Sequence, residues 1–179
     1  FPYFQIPDLT VKRKTGFLLP SFGSNSEMKS HILLPFFVNF AENQNLTITP
    51  QISATHDPLG LLKYQGLFSE SKMDIDASLT RDEDGSNQGH IKATFDYDPN
   101  SNWHFSGQYF KTTSDTYFRR YKIDGITETD SFLTSYLGGE YYGTRLQGNA
   151  ELLSFQSLYM TDRVRTGSRR RCRASRTWW

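Results

Sequence analysis

The chain has 179 residues, a formal net charge of +1, 36% apolar residues and 15% aromatics. Its mean hydropathy is −0.60, and its longest apolar run, near 32–38, is broken by Pro35. That excludes a bundle of membrane helices, each of which needs about 20 consecutive apolar residues. Many aromatics in a chain of modest hydrophobicity point instead to strands.

In chain order, residues 15–23 form an apolar stretch interrupted by Pro20. In 32–40, Ile32, Leu34, Phe36, Val38 and Phe40 fall on one face of an extended chain. Residues 45–56 alternate most cleanly. Asn45, Thr47, Thr49, Gln51, Ser53 and Thr55 oppose Leu46, Ile48, Pro50, Ile52 and Ala54. Alternation returns in 74–80, where Ile75, Ala77 and Leu79 oppose Asp74, Asp76 and Ser78. It continues in 89–98, where His90, Lys92, Thr94 and Asp96 oppose Ile91, Ala93, Phe95 and Tyr97. In 102–112, Trp103, Phe105, Gly107 and Tyr109 oppose His104, Ser106 and Gln108. In 144–152, Gln147, Asn149 and Glu151 oppose Gly148, Ala150 and Leu152.

Turn-forming residues cluster at 41–44, 56–60, 81–88 and 98–102. Residues 113–130 make the longest connection, read as a loop of mixed charge, and the body shows no helical period. The pattern predicts an all-β chain of about nine strands joined neighbour to neighbour, an antiparallel meander.

The near-zero charge averages two unlike parts. Residues 163–179 hold seven of the 20 basic residues, all Arg, and no acid. Residues 1–162 hold the other 13 against all 19 acids, a net charge of −6. The break predicts a barrel-type body at 1–162 and an Arg-rich tail at 163–179, disordered or frameshifted. The single Cys172 lies in the tail, so the body has no disulfide of its own. The start, Phe1-Pro2-Tyr3-Phe4, shows no signal-peptide pattern and reads as the interior of a longer protein.

One polar and one apolar face suit two architectures. A soluble sandwich buries the apolar face against a second sheet. A membrane barrel turns it to lipid and lines a wet interior with the polar face. Strand lengths near a tilted span, and aromatics near strand ends (Tyr64, Phe68, Tyr97, Trp103, Tyr109, Phe110, Tyr141 and Tyr142), favour the barrel.

Four segments carry a more specific signal. Pro2-Tyr3-Phe4 is followed by Lys12-Arg13-Lys14-Thr15-Gly16-Phe17-Leu18-Leu19-Pro20-Ser21-Phe22-Gly23. Then come Leu34-Pro35-Phe36-Phe37-Val38-Asn39-Phe40-Ala41 and Leu46-Thr47-Ile48-Thr49-Pro50-Gln51. The series resembles the start of the barrel in the LptD (OstA/Imp) family of outer-membrane lipopolysaccharide-assembly proteins. Softer matches follow at Phe95-Asp96-Tyr97, at Trp103-His104-Phe105, at Ser114-Asp115-Thr116-Tyr117-Phe118-Arg119-Arg120-Tyr121 and at 146–158. Gln51 stands where the family usually has Arg, and Arg120 where it has an acid.

The resemblance implies a partial transmembrane β-barrel, the first nine or so strands of a larger one, in the bacterial outer membrane. It implies transport and assembly of lipopolysaccharide at the outer leaflet through a lateral gate. The implied partners are lipopolysaccharide, an LptE-like lipoprotein plug, the periplasmic Lpt bridge reached through a separate N-terminal domain, and outer-membrane lipid. Pro20 and Pro35 fall at the family's gate prolines. Proline lacks the N–H of a ladder bond, and a bilayer offers no water to replace it. The plainer account is an edge-strand or bulge proline. The alternatives to the whole reading are a small porin-like barrel and a soluble glycan-binding sandwich.

The polar residues Thr47, Thr49, Gln51, Ser53, His90, Lys92, Thr94, Gln147, Asn149 and Glu151 are candidates to line the lumen. There they would solvate a glycan, touch the plug or simply wet the interior. Asp82-Glu83-Asp84 suggests a solvated loop or a cation-attracting one. The four histidines sit at no metal-ligand spacing. There is no nucleophile elbow and no phosphate-binding loop. The expectation is a non-enzyme with no catalytic residues, metal or cofactor, and with no nucleic-acid partner.

Overall fold

The computed structural model describes residues 14–25, 29–54, 57–81, 85–121, 123, 131–158 and 171–173. Among these, twelve strands and one short helix are present. The strands are β1 (Gly16–Phe17), β2 (Ser21–Asn25), β3 (Lys29–Leu33), β4 (Phe36–Ala41), β5 (Gln44–Ser53) and β6 (Leu59–Leu67). They continue with β7 (Ser71–Arg81), β8 (Asn87–Asn100), β9 (Trp103–Thr112), β10 (Phe132–Tyr142), β11 (Gln147–Ser157) and β12 (Arg171–Arg173). All belong to one sheet, ordered β1-β4-β5-β6-β7-β8-β9-β10-β11-β12, with β2 on β3 and β3 on β5. Every recorded pair is antiparallel. The antiparallel meander expected from the alternation is therefore present.

The strand count differs from nine for a physical reason. Pro20 separates β1 from β2, and Leu34-Pro35 separates β3 from β4. Each pair is one strand interrupted where proline cannot donate. With each pair taken once, nine strands lie between Gly16 and Ser157. β12 adds to these, pairing Arg171–Arg173 with Glu151–Leu153. The rest of the Arg-rich tail lies outside the described residues, as do Asp82-Glu83-Asp84 and His56.

The connection 113–131 also differs from expectation. It holds a one-turn helix, α1 (Tyr117–Tyr121). Tyr117, Phe118 and Tyr121 are buried there together with Leu59, Phe110, Leu133 and Leu158. A single turn does not persist in water on propensity alone. Aromatic packing holds it, with Phe118 edge-on to Phe110 at a centroid distance of 5.7 Å. The tight hairpin expected at 98–102 is present, with its two turn residues at 101–102. β8 runs on to Asn100 with a register shift after Tyr97, and Asn100 Oδ1 caps the amides of Asn102 and Trp103.

The two ends of the sheet are unlike. The turns at 42–43, 68–70, 101–102 and 143–146 close one end. The longer connections 54–58, 82–86 and 113–131 lie at the other, with α1 folded back on the sheet.

Candidate functional site

Register sorts the side chains onto two faces. Pairs directly opposite share a face. Ser78 faces His90, and His90 faces Thr112. Asp76 faces Lys92, and Lys63 faces Asp76. Followed across the sheet, these pairings place Thr47, Thr49, Gln51, Ser53, His90, Lys92, Thr94, Gln147, Asn149 and Glu151 on one common face. They are spread across it rather than gathered into a pocket. Gln51 and His90 are buried, Gln147, Asn149 and Glu151 are exposed, and the rest are half-buried. Lys63–Asp76 (3.9 Å) and Lys72–Asp74 (3.3 Å) pair across the same face.

The opposite face is apolar and open. Phe17, Phe22, Ile48, Ile52, Leu62, Leu79, Ile91, Tyr109, Leu137 and Leu152 all lie on it. All are exposed, Phe17 by 80% and Leu79 by 63%. Aromatics gather on this face at the short-turn end. Trp103 stacks on Phe105 at 5.5 Å, Phe105 on Tyr97 at 6.3 Å, and Tyr141 leans on Trp103 at 4.8 Å. Phe110, a strand-end aromatic in the sequence, points to the polar face and packs under α1.

The long-loop end of the polar face is capped. Tyr117 OH and Ser78 Oγ are 2.6 Å apart, and Ser78 Oγ also bonds His90 Nδ1. Phe118 closes over the His90 ring edge-on at 5.2 Å. His90 is 6% exposed, and its Nε2 has no partner among the described residues. α1 thus seals part of the polar face with aromatic rings. This cap was not expected from the sequence, although Tyr117, Phe118 and Tyr121 sit at one-turn spacing within a polar loop.

Burial pushes the Tyr117 hydroxyl up to about 12, with the Ser78 hydrogen bond pulling it back. The folded state therefore holds this proton more tightly than the unfolded chain, whose tyrosines titrate near 10. The cap is fully stabilised below pH ~10 and loses that stability as pH rises towards ~12. Limited proteolysis between 113 and 131 should rise over this range. Tyr117→Phe should remove the alkaline step, and an identical step in that variant would refute the assignment.

Pro20 and Pro35 lie beside each other on adjacent strands but differ in setting. Leu18 N donates to Pro35 O at 2.9 Å, continuing the Phe17–Phe36 register. Beyond it the register becomes Ser21–Leu33. Two residues of the first strand, Leu19 and Pro20, then oppose Leu34 alone. That is a bulge, and Pro20 occupies it. Pro35 instead holds a regular ladder position.

No family model matches the chain. It is 26% identical over 154 residues to the LPS-assembly protein LptD of Shewanella frigidimarina, covering 79% of this chain and 19% of that protein. It is 25% identical over 167 residues to the LptD of Psychrobacter arcticus, covering 88% and 18%. A shorter stretch of 68 residues is 41% identical to the LptD of Coxiella burnetii, covering 38% and 7%. The chain is LptD-like. It spans at most about a fifth of the length of these curated relatives. The resemblance read from the first fifty residues thus extends along most of the LptD-like chain.

Proposed function

We propose that this LptD-like chain forms part of an outer-membrane β-barrel that assembles lipopolysaccharide at the outer leaflet. The observation that carries the reading is the continuous exposed apolar face, backed by a mainly polar one that α1 covers at the long-loop end. A soluble sheet does not leave so large an apolar face in water. A barrel wall does, because lipid covers it. The aromatic group Tyr97, Trp103, Phe105 and Tyr141 at the short-turn end suits a girdle at the membrane surface. Short turns at one end and longer loops at the other are the barrel's ordinary asymmetry.

On this reading, Thr47, Thr49, Ser53, Lys92, Thr94, Gln147, Asn149 and Glu151 line a wet interior, while Gln51 and His90 on the same face are buried. The lining residues are placed to meet the glycan of lipopolysaccharide or an LptE-like plug. A periplasmic Lpt bridge would deliver the lipid through a separate N-terminal domain. The strands β1–β4 form the edge that parts from the closing strands of the barrel, and Pro20 and Pro35 lie at that edge as the lateral gate.

Photo-crosslinking in the full-length parent protein tests this. A benzophenone side chain at Thr49 or Thr94 should capture lipopolysaccharide or the plug, and one at Ile91 or Leu137 should capture bulk membrane lipid. Equal products from both faces would overturn the reading. A parent protein recovered in the soluble fraction would do the same.

A further inference from the structure

The ladder around Pro35 leads to a third proline. Leu34 N donates to Pro50 O at 3.1 Å. The pairs Leu33–Gln51 and Phe36–Ile48 flank this contact in one unbroken register. Leu34 and Pro50 are therefore directly opposed as a hydrogen-bonding pair, which ordinarily exchanges two bonds. Pro50 has no N–H, so only one can form. The pair Leu18–Pro35 has the same defect, with Leu18 N bonded to Pro35 O and no return bond possible. The two half-made pairs sit one residue apart in height on consecutive strand interfaces.

The defect stops at β5. Residues pointing from β5 towards β6 are Thr49 and Gln51, and the β5–β6 register runs unbroken from Gln44–Gly66 to Gln51–Leu59. Pro50 faces Gly60 there, where nothing but Leu79 O comes within 4 Å of a Cβ position, at 3.7 Å. The β5–β6 ladder therefore loses no hydrogen bond to the proline.

We infer that Pro50 is a gate-positioning residue: with Pro35 it weakens both interfaces of the β3–β4 strand at one height, so that the edge can yield at two successive interfaces, between β1 and β4 and between β4 and β5. This rests on the proposed lipid-releasing role and deepens it, since it extends the yielding edge to β5 rather than to the first strand pair alone. In a bilayer no water replaces the missing bond, so the effect falls on strand pairing directly.

The test uses the full-length parent protein in its membrane, with its partners. Pro50→Ala and Pro50→Gly both restore the N–H that can reach Leu34 O. Delivery of lipopolysaccharide to the cell surface is timed by pulse labelling, and assembly is followed by heat-modifiable gel migration. Both variants should assemble at least as well as the parent and deliver about fivefold more slowly, the effect of roughly 1 kcal/mol of added pairing. Normal delivery in both, alongside slowed delivery in Pro35→Ala, overturns the role of Pro50 and leaves the gate reading standing. Normal delivery in Pro35→Ala as well overturns the gate reading itself. Failure of both Pro50 variants to assemble also overturns the inference, because a restored ladder bond must strengthen the sheet.

Discussion

Gly89→Ala should destabilise the sheet by about 3 kcal/mol or more, the upper end of the range for overpacking a close contact. A Cβ at Gly89 would fall on the backbone oxygen of Ser78 across the β7–β8 ladder. The obstacle is main chain, so no rotamer change relieves it. Gly89 is also a hub for the start of the 113–131 connection. Its N–H donates to Thr113 Oγ1 at 2.8 Å, and its carbonyl accepts from Thr113 N at 3.0 Å and Thr112 Oγ1 at 3.2 Å. Displacing Gly89 would loosen these bonds together with the His90–Ser78–Tyr117 contacts beside them. Gly60→Ala supplies the contrast, since its nearest neighbour is Leu79 O at 3.7 Å. That variant should be neutral or slightly stabilising, because alanine lowers the entropy of the unfolded chain. Urea midpoints in detergent, read by heat-modifiable migration, check both. Equal midpoints for the two variants would refute the packing argument.

Alternation made the two faces legible because both are set by period 2, a local property of each strand. Thr47, Thr49, Gln51 and Ser53 could be assigned to one side of β5 without knowing its neighbours. What joined β5, β8 and β11 into one polar face was register, which no single strand encodes. β6 and β10 were the least legible strands. Leu59 and Leu61 fall on the polar face of β6, and Phe132 and Tyr136 on that of β10, so alternation is blurred. Leu59 explains itself once α1 is seen, for it is buried under that cap. The helix was missed because one turn has too few residues for a period. The difference between Pro20 and Pro35 was equally hidden. Both interrupt apolar stretches, but only the shift from Phe17–Phe36 to Ser21–Leu33 shows that one sits in a bulge. Pro50 lay inside the cleanest alternating stretch, and its defect is defined by Leu34 on another strand.

That distinction predicts unequal effects from the two prolines at the edge. Pro35→Ala adds an N–H facing Leu18 O, completing a pair that already has its other bond. In lipid, where the free carbonyl has no water, the completed pair is worth about 1–1.5 kcal/mol. If opening of this edge limits release, Pro35→Ala should slow lipopolysaccharide delivery by roughly five- to tenfold in the full-length protein. Pro20→Ala should change delivery by less than about twofold, since a residue within a bulge already lies outside the ladder. The double variant should then match Pro35→Ala alone. The same pulse-labelling measurement distinguishes the cases. An equal, additive contribution from Pro20 would mean that the bulge closes when the strands open and that Pro20 enters the ladder in the moving state. Unchanged delivery in the double variant would mean that this edge does not limit release, and the gate would have to be sought elsewhere in the barrel.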